Sequence, residues 1–205
     1  MTKKIKDNNS GKKALFIQRL ISYLIDSAIV VFVASLLATP FIDNNRISDL
    51  NDRSYKLVEK YRRDEISNNE YIAEYMNVSY EIAKNEGLVT LVSVIIGLIV
   101  FVVVPLYNGG QTLGKRLLKI KVVSRSGDLT MNQLIFRSFI ANSILINLIS
   151  VILIVISSKN SYFYCYGIFI AIQYIITVIS VFMIMVGKEG RTIHDLLTNT
   201  KVVRV

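Results

Sequence analysis

The sequence predicts an all-α membrane protein. Three observations carry this: four long stretches almost free of charge, an alternation of basic and acidic segments between them, and one short motif that occurs twice. The chain has 205 residues, is 52% hydrophobic and has a mean hydropathy of +0.46, yet it carries 24 Lys and Arg against 15 Asp and Glu. A soluble domain interleaves apolar with polar residues, whereas an uncharged run of about 18 or more residues is long enough to cross a bilayer. The full expectation is four transmembrane helices as two parallel two-helix repeats, an extracellular helical hairpin, short cytoplasmic helices and a small β pairing at the inner face.

The first run extends from Leu20 to Ile42 and is interrupted only by Asp26. The second, Leu88 to Tyr107, has no charge; nor have the third, Phe139 to Ile156, and the fourth, Tyr162 to Val186. At ~1.5 Å rise per residue even the shortest covers about 27 Å. The first run is too long for a cleaved signal peptide, and no small-residue cleavage site ends it early, so it is expected to remain as an anchor.

Charges between the runs predict orientation. Residues 1–19 hold six positive and one negative side chain, residues 108–134 five and one, and residues 188–205 four and two, whereas residues 43–86 hold seven against ten. Short basic loops stay on the cytoplasmic side. The reading is therefore a multi-pass protein of the cell membrane with both termini cytoplasmic: a basic N-terminus over 1–18, a membrane domain over 19–205, and an extracellular insertion over 43–86. The net charge of +9 reflects that topology. It does not form a basic face with aromatic platforms on a soluble domain, so nucleic acid is not an expected partner. Anionic lipids at the inner face are.

Each interval has its own signals. In the outer segment, Ser67 and Glu70 of "SNNE" have the spacing of a capping box. Tyr55, Val58, Tyr71, Tyr75 and Ile82 recur at helical spacing and are expected to pack between two outer helices or at the lipid interface. The third and fourth runs are joined by only Ser157 to Ser161, which makes them antiparallel neighbours. After the second run comes "GQTLGKRLLKIKVVSR" and after the fourth "GRTIHDLLTNTKVVRV". Both read Gly, any residue, Thr, aliphatic, later Leu-Leu and Lys-Val-Val. With Arg19 before the first run and Arg137 before the third, the unit is Arg, span, span, short helix, strand. Because both units begin inside, the halves run in the same direction. Thr112 and Thr192 are expected N-caps, Thr130 is expected to open the next helix after a turn at Gly127-Asp128, and the two β-branched tails are expected to pair with each other.

Arg19, Asp26, "GQTLGKRLLKIKVV" and the C-terminal "RTIHDLLTNTKVV" together resemble the RDD family of small bacterial membrane proteins, named for one arginine and two aspartates. By motif these correspond to Arg19, Asp26 and Asp195. The resemblance implies a multi-pass protein for which transport of an undefined ligand is proposed, with cation/proton exchange suggested for some members. The third run carries Ile144 at the place of Asp26, so only one half has the membrane carboxylate.

An ionisable side chain in a membrane helix costs ~2.5–3.5 kcal/mol on insertion scales, so Asp26 is expected to face the bundle interior with a partner or a function. Arg19 lies on the same face about 10 Å away along the axis, beyond a direct bond unless it reaches inward. Two readings follow. In one, Asp26, Asn142, Asn147 and Gln173 line an ion path. In the other, Asp26 belongs to a packed polar cluster, bonded to Arg137, an asparagine or Tyr23. Asp195 is expected to pair with Arg19 or Arg137 first and Arg191 second. His194 and Cys165 are the only residues of their types, so no His/Cys metal cluster is expected. His194 is expected to make an interfacial hydrogen bond and Cys165 to pack in its helix. "NGGQTLGK" lacks P-loop spacing, and neither an enzyme nor a cofactor is expected.

The functional expectation is a small transporter of a cation or other undefined ligand that uses a membrane-embedded carboxylate. Four helices enclose little space, so a homo-oligomer or a membrane-protein partner is compatible with it. The alternative is a non-transporting accessory or immunity-type protein that binds through its outer helices. Topology is directly testable: cysteines placed at Asn69 and Ser126 should differ toward an impermeant thiol reagent in intact cells. Only Asn69→Cys should react, and labelling at position 126 refutes the orientation.

Overall fold

The computed structural model describes residues 11–205; the basic N-terminal segment expected over 1–18 lies partly outside the described residues. Helix α1 runs Phe16–Ala38 and ends in a 3-10 turn, Thr39–Phe41. Its buried positions are Ser22, Asp26, Val30, Ala34 and Ala38, each four residues after the last. Large apolar side chains face outward instead, with Phe32 at 65% exposure. A soluble helix buries its large apolar stripe; this one buries small and polar residues, as helices do when lipid covers the rest and close backbone approach drives packing.

Helix α2 (Asn44–Arg62) and helix α3 (Asn68–Asn85) follow. The Ser67–Glu70 capping box forms as the sequence predicts. The two helices lie antiparallel, with Tyr61 stacked on Tyr71 at 4.5 Å and ion pairs Arg46–Glu81 at 2.5 Å and Arg53–Glu74 at 3.1 Å. Exposed pairs of this kind contribute about 0–1 kcal/mol each, so buried Leu50, Leu57 and Val78 carry more of the packing. Only Glu86 separates α3 from helix α4 (Gly87–Leu98), so α3 prolongs the second span.

That span continues through a π turn, Ile99–Val103, into α5 (Val104–Tyr107). Pro105 explains the turn: proline has no N–H to donate, and its ring crowds the carbonyl one turn earlier. That carbonyl belongs to Phe101, and the Ser138 hydroxyl donates to it at 3.3 Å. The widened turn and the serine together satisfy a backbone group that lipid could not.

The third span departs most from expectation. The sequence predicts one helix over 139–156; the structure has α7 over Met131–Ala141 and α8 over Ile144–Ile156, bent by 69°. Ser143 sits at the break in the left-handed region, φ 55°. The Asn142 N–H closes the last turn of α7 on Ser138 O at 3.0 Å, and the Gln173 side chain donates to the exposed Ile140 carbonyl at 2.9 Å. The uncharged run hid the break because hydropathy does not register where backbone groups find partners. Helix α9 then spans Lys159–Val186 after a Ser158 cap, leaving a shorter connection than the expected Ser157–Ser161. Cys165, expected to pack, is exposed on α9. Three helical stretches, Phe16–Phe41, Gly87–Tyr107 and Lys159–Val186, are long and apolar enough to cross a membrane, and the count is four where the bent pair is taken as one span.

At the end opposite α2 and α3 lie α6 (Leu113–Leu117), strand β1 (Ile120–Ser124), α10 (Ile193–Leu197) and strand β2 (Thr200–Arg204). The strands pair antiparallel with Val122 opposite Val202, packing Ile120, Val122 and Val202 against Ala14. The sequence did not reveal that residues 12–14 cover the outer edge of β2: Ala14 N–H donates to Val202 O at 3.2 Å and Arg204 N–H to Lys12 O at 2.9 Å. The other edge is met by Gly110, which accepts from Val122 N–H at 2.9 Å. Its φ is +87° and a Cβ there would lie 2.0 Å from Val122 O, so only glycine fits.

Left-handed backbone costs a non-glycine residue about 1–3 kcal/mol, which gives a test of the break. Ser143→Gly should raise the detergent-solubilised Tm and Ser143→Val should lower it. Equal or reversed shifts would mean that the break is not held in this conformation.

Candidate functional site

Two carboxylates, both completely buried, organise the end of the molecule that carries the strands. Asp26 projects from α1 onto the first turn of α6. It accepts from the Thr112 hydroxyl at 2.5 Å and from Gly114 N–H at 2.8 Å, with Lys115 Nζ at 4.0 Å. An anion at a helix start meets unpaired N–H groups there. Thr112 is the N-cap of α6, as predicted, its oxygen accepting from Lys115 N–H. Gly114 permits the approach, because a Cβ at that position would lie 2.3 Å from the Ser22 carbonyl and 3.0 Å from the Asp26 carboxylate.

Asp195 lies in the first turn of α10 and completes a capping box with Thr192. Its carboxylate accepts from Arg19 at 3.2 Å, from Arg137, from Thr200 Oγ1 at 3.3 Å and from Thr192 N–H at 3.2 Å. Arg19 comes from α1 and Arg137 from α7, so one acid joins two membrane helices to α10 and β2. Arg19 also donates to Val202 O at 3.3 Å. The expected pairing of Asp195 with Arg19 and Arg137 is present. Arg191 is instead bound to Glu189 at 2.6 Å, because it precedes the capping turn and faces the loop. Asp26 meets none of its expected packing partners, Arg137, an asparagine or Tyr23; its partners come from α6.

A second device occurs twice. Gln18 Oε1 accepts from Leu15 N–H at 3.1 Å while Gln18 Nε2 donates to Leu118 O at 3.2 Å. Gln133 Oε1 accepts from Thr130 N–H at 3.1 Å while Gln133 Nε2 donates to Thr198 O at 2.9 Å. Each glutamine caps a membrane-entry helix and ties it to the C-terminal end of a short helix. The sequence hid this because the glutamines stand at different distances from Arg19 and Arg137.

Beside the charges is a cleft of about 280 Å³ between α1, α7, α9 and the strands. Arg19, Arg137, Lys115 and His194 line it, as do Asn142, Gln173, Thr177 and Ser180, among apolar walls that include Tyr23, Phe101 and Ile184. Of the residues expected along a polar path, Asn142 and Gln173 reach the cleft. Asp26 and Asn147 do not line it: Asp26 turns to α6, and Asn147 lies further along α8, beyond the bend. Thr177 and Ser180, which sequence reasoning missed, face it from α9; one helical turn separates each of the three polar residues Gln173, Thr177 and Ser180 from the next, a stripe that was legible in principle.

Burial lowers the Lys115 ammonium to about 8, against the opposing attraction of Asp26, with Arg137 and Arg19 lowering it further. It is cationic at neutral pH and loses its proton only slightly above. Burial, reinforced by Arg137, Arg19 and Lys115, holds His194 well below the usual imidazole range, so its ring is neutral at neutral pH. The expected interfacial hydrogen bond of His194 gives way to a place in the cleft wall.

Apolar spans, backbone breaks relieved by side chains, and a buried ion cluster at one end define a small multi-pass membrane protein. The chain belongs to the RDD family, whose profile matches residues 13–199. No curated protein and no solved structure matches it.

Removing one partner of a buried charge pair costs about 3–5 kcal/mol. Asp195→Asn strands two arginines, so folded yield and Tm in detergent should fall sharply, whereas Glu189→Gln, whose partners Arg191 and Arg125 are both partly exposed to solvent, should change little. Comparable Tm values for the two variants would show that Asp195 is not the hub.

Proposed function

We propose that this protein is a small transporter of the cell membrane whose ligand occupies the cleft between α1, α7 and α9. One observation carries the reading: the third span breaks beside that cleft, at Asn142–Ser143. Irregular backbone at membrane depth is tolerated where it lines a cavity, and broken helices mark binding sites in transporters. Charge asymmetry supports an orientation with both termini and the strand-bearing end cytoplasmic and with α2 and α3 outside. The two Thr-capped short helices, the antiparallel strands and the paired glutamine devices support two parallel repeats about an axis along the membrane normal. Anionic lipid at the inner face and assembly as a homo-oligomer fit this arrangement.

Asp26 enters this reading as a pin between α1 and α6. Its satisfied carboxylate makes it a positioning residue for Lys115 and the α6 turn; the carrier role assigned to it on sequence grounds would require it to release those partners. A partner-binding role for the outer helices has one observation behind it, the exposure of Tyr55 (66%), Ile72 and Tyr75 (both 46%) on α2 and α3.

Flux of sodium, protons and small organic anions into liposomes tests the proposal. The unmodified protein should carry at least one of these, and Thr177→Leu, which narrows the cleft from an exposed position on α9, should reduce that flux at least ten-fold at unchanged Tm. Asp26→Asn should lose flux together with stability, since each hydrogen bond to a charged group is worth about 1.5–3 kcal/mol. Loss of flux in Asp26→Asn with stability intact would restore the carrier role, and no flux of any tested solute would favour the partner-binding reading.

A further inference from the structure

The same cleft has a chemical polarity that identifies a ligand class, and this step rests on the transport reading only for its location. Three cations, Arg19, Arg137 and Lys115, line the cleft, and no acid does. The two acids that balance them, Asp26 and Asp195, are fully buried behind the lining. Three positive charges against two negative leave one positive charge uncompensated, on the cleft side. Two polar atoms here also have no partner: the buried Ser180 hydroxyl, on a residue only 6% exposed, and the Arg19 Nε–H. Arg19 spends its terminal nitrogens on Asp195 and Val202 O, so Nε–H remains free to donate. A buried donor without an acceptor costs about 1–3 kcal/mol, a penalty that a bound acceptor would remove.

The rest of the lining is apolar. Tyr23 and Leu20 on α1, Ile140 on α7 and Ile176 and Val181 on α9 form a wall continuous with the lipid-facing surface of those spans. We propose that the cleft binds a single-chain amphiphile with a monoanionic oxyanion head, its head among Arg19, Lys115 and Ser180 and its chain along the α1 and α9 wall. One uncompensated positive charge suits one negative charge. A cavity of about 280 Å³ lies at the lower edge of the roughly 300–1,000 Å³ that ligand pockets occupy, room for a head and part of one chain rather than for a two-chain lipid. Carboxylate and phosphodiester heads share the required chemistry, each with a single negative charge. Charge-assisted hydrogen bonds from guanidinium and ammonium groups to an oxyanion are about twice as strong as neutral ones, which sets the preference over a zwitterion.

The test is titration of the full-length protein in maltoside micelles with methyl decyl phosphate, a monoanionic diester, and with decanoate, decylphosphocholine and inorganic phosphate. Methyl decyl phosphate or decanoate, or both, should bind at least ten-fold more tightly than decylphosphocholine, and inorganic phosphate at least a hundred-fold more weakly than the better of the two; which of them binds identifies the head. Ser180→Leu, which fills the cleft without touching an ion pair, should weaken binding at least ten-fold. If that variant does not fold, Thr177→Leu is titrated instead with the same expectation. In the unmodified protein affinity should fall between pH 7 and 9 as Lys115, facing Asp26, Arg19, Arg137, His194 and the Phe101 ring, loses its proton, and Lys115→Arg should flatten that dependence. Decylphosphocholine or inorganic phosphate binding as tightly as the better of the two anionic amphiphiles, or a cleft-filling variant that binds as well as the unmodified protein, would each overturn the proposal. Binding in micelles without flux in liposomes would leave it standing and refute transport; cation flux without anion binding would do the reverse.

Discussion

Everything at the strand-bearing end depends on the burial of one carboxylate between two guanidinium groups. An isolated buried charge is not tolerated, and a pair holds together only with good geometry and further hydrogen bonds. Asp195 receives both kinds of support: Arg19 and Arg137 for charge, Thr200 and the Thr192 N–H for its remaining lone pairs. Because the arginines come from the entry turns of two different spans, the acid sets the separation of α1 and α7. Because Thr200 begins β2, it also sets the height of the strand pair beneath them. The cleft exists between elements whose spacing this one cluster fixes.

The two short helices are anchored by ion pairs of opposite polarity. Thr112 and Thr192 cap the two short helices, and the third residue of each first turn is Lys115 in one and Asp195 in the other. In the first half the acid comes from the span, as Asp26, and the base from the short helix. In the second the acid belongs to the short helix and the bases to the spans. Ile144 stands where a second span carboxylate would be, and it packs into the apolar cluster with Val30, Val94 and Phe101. The membrane carboxylate Asp26 is therefore the counterpart of Lys115 in the short helix α6.

The sequence made the spans legible because an uncharged run has one physical reading at this length. The caps at Thr112, Thr130, Thr192 and Ser67 were legible because side-chain oxygen three residues before a backbone donor is local chemistry. Asp195 with Arg19 and Arg137 was legible because buried charge demands a partner and few candidates lie at that depth. The break at Asn142–Ser143 was not, since it is stabilised by Gln173 from another helix. Nor were the Asp26 contacts: Gly114 gives no sign in sequence that a Cβ there would lie 2.3 Å from the Ser22 carbonyl of α1. The strand-like segment at residues 12–14 was hidden for a similar reason, since "KKA" has no strand character of its own and forms only because β2 offers an edge.

What remains unsatisfied is as informative as what is paired. The carbonyls freed by the two irregularities have found substitutes, Phe101 O in Ser138 and Ile140 O in Gln173, and the buried Tyr162 hydroxyl has Ser150. Among the described residues Arg204 Nε at the end of β2 is also unpaired, but Ser180 Oγ and Arg19 Nε are both buried and both belong to residues that line one cleft. A chain that satisfies its breaks this thoroughly had cheap ways to remove the exceptions, such as alanine at position 180. Their concentration on the uncompensated positive side of the ion cluster is the arrangement of a site that is completed by something carrying oxygen and negative charge. The acids behind the cleft then hold the cations in place without competing for the ligand, because Asp26 and Asp195 spend their lone pairs on α6, α10 and β2.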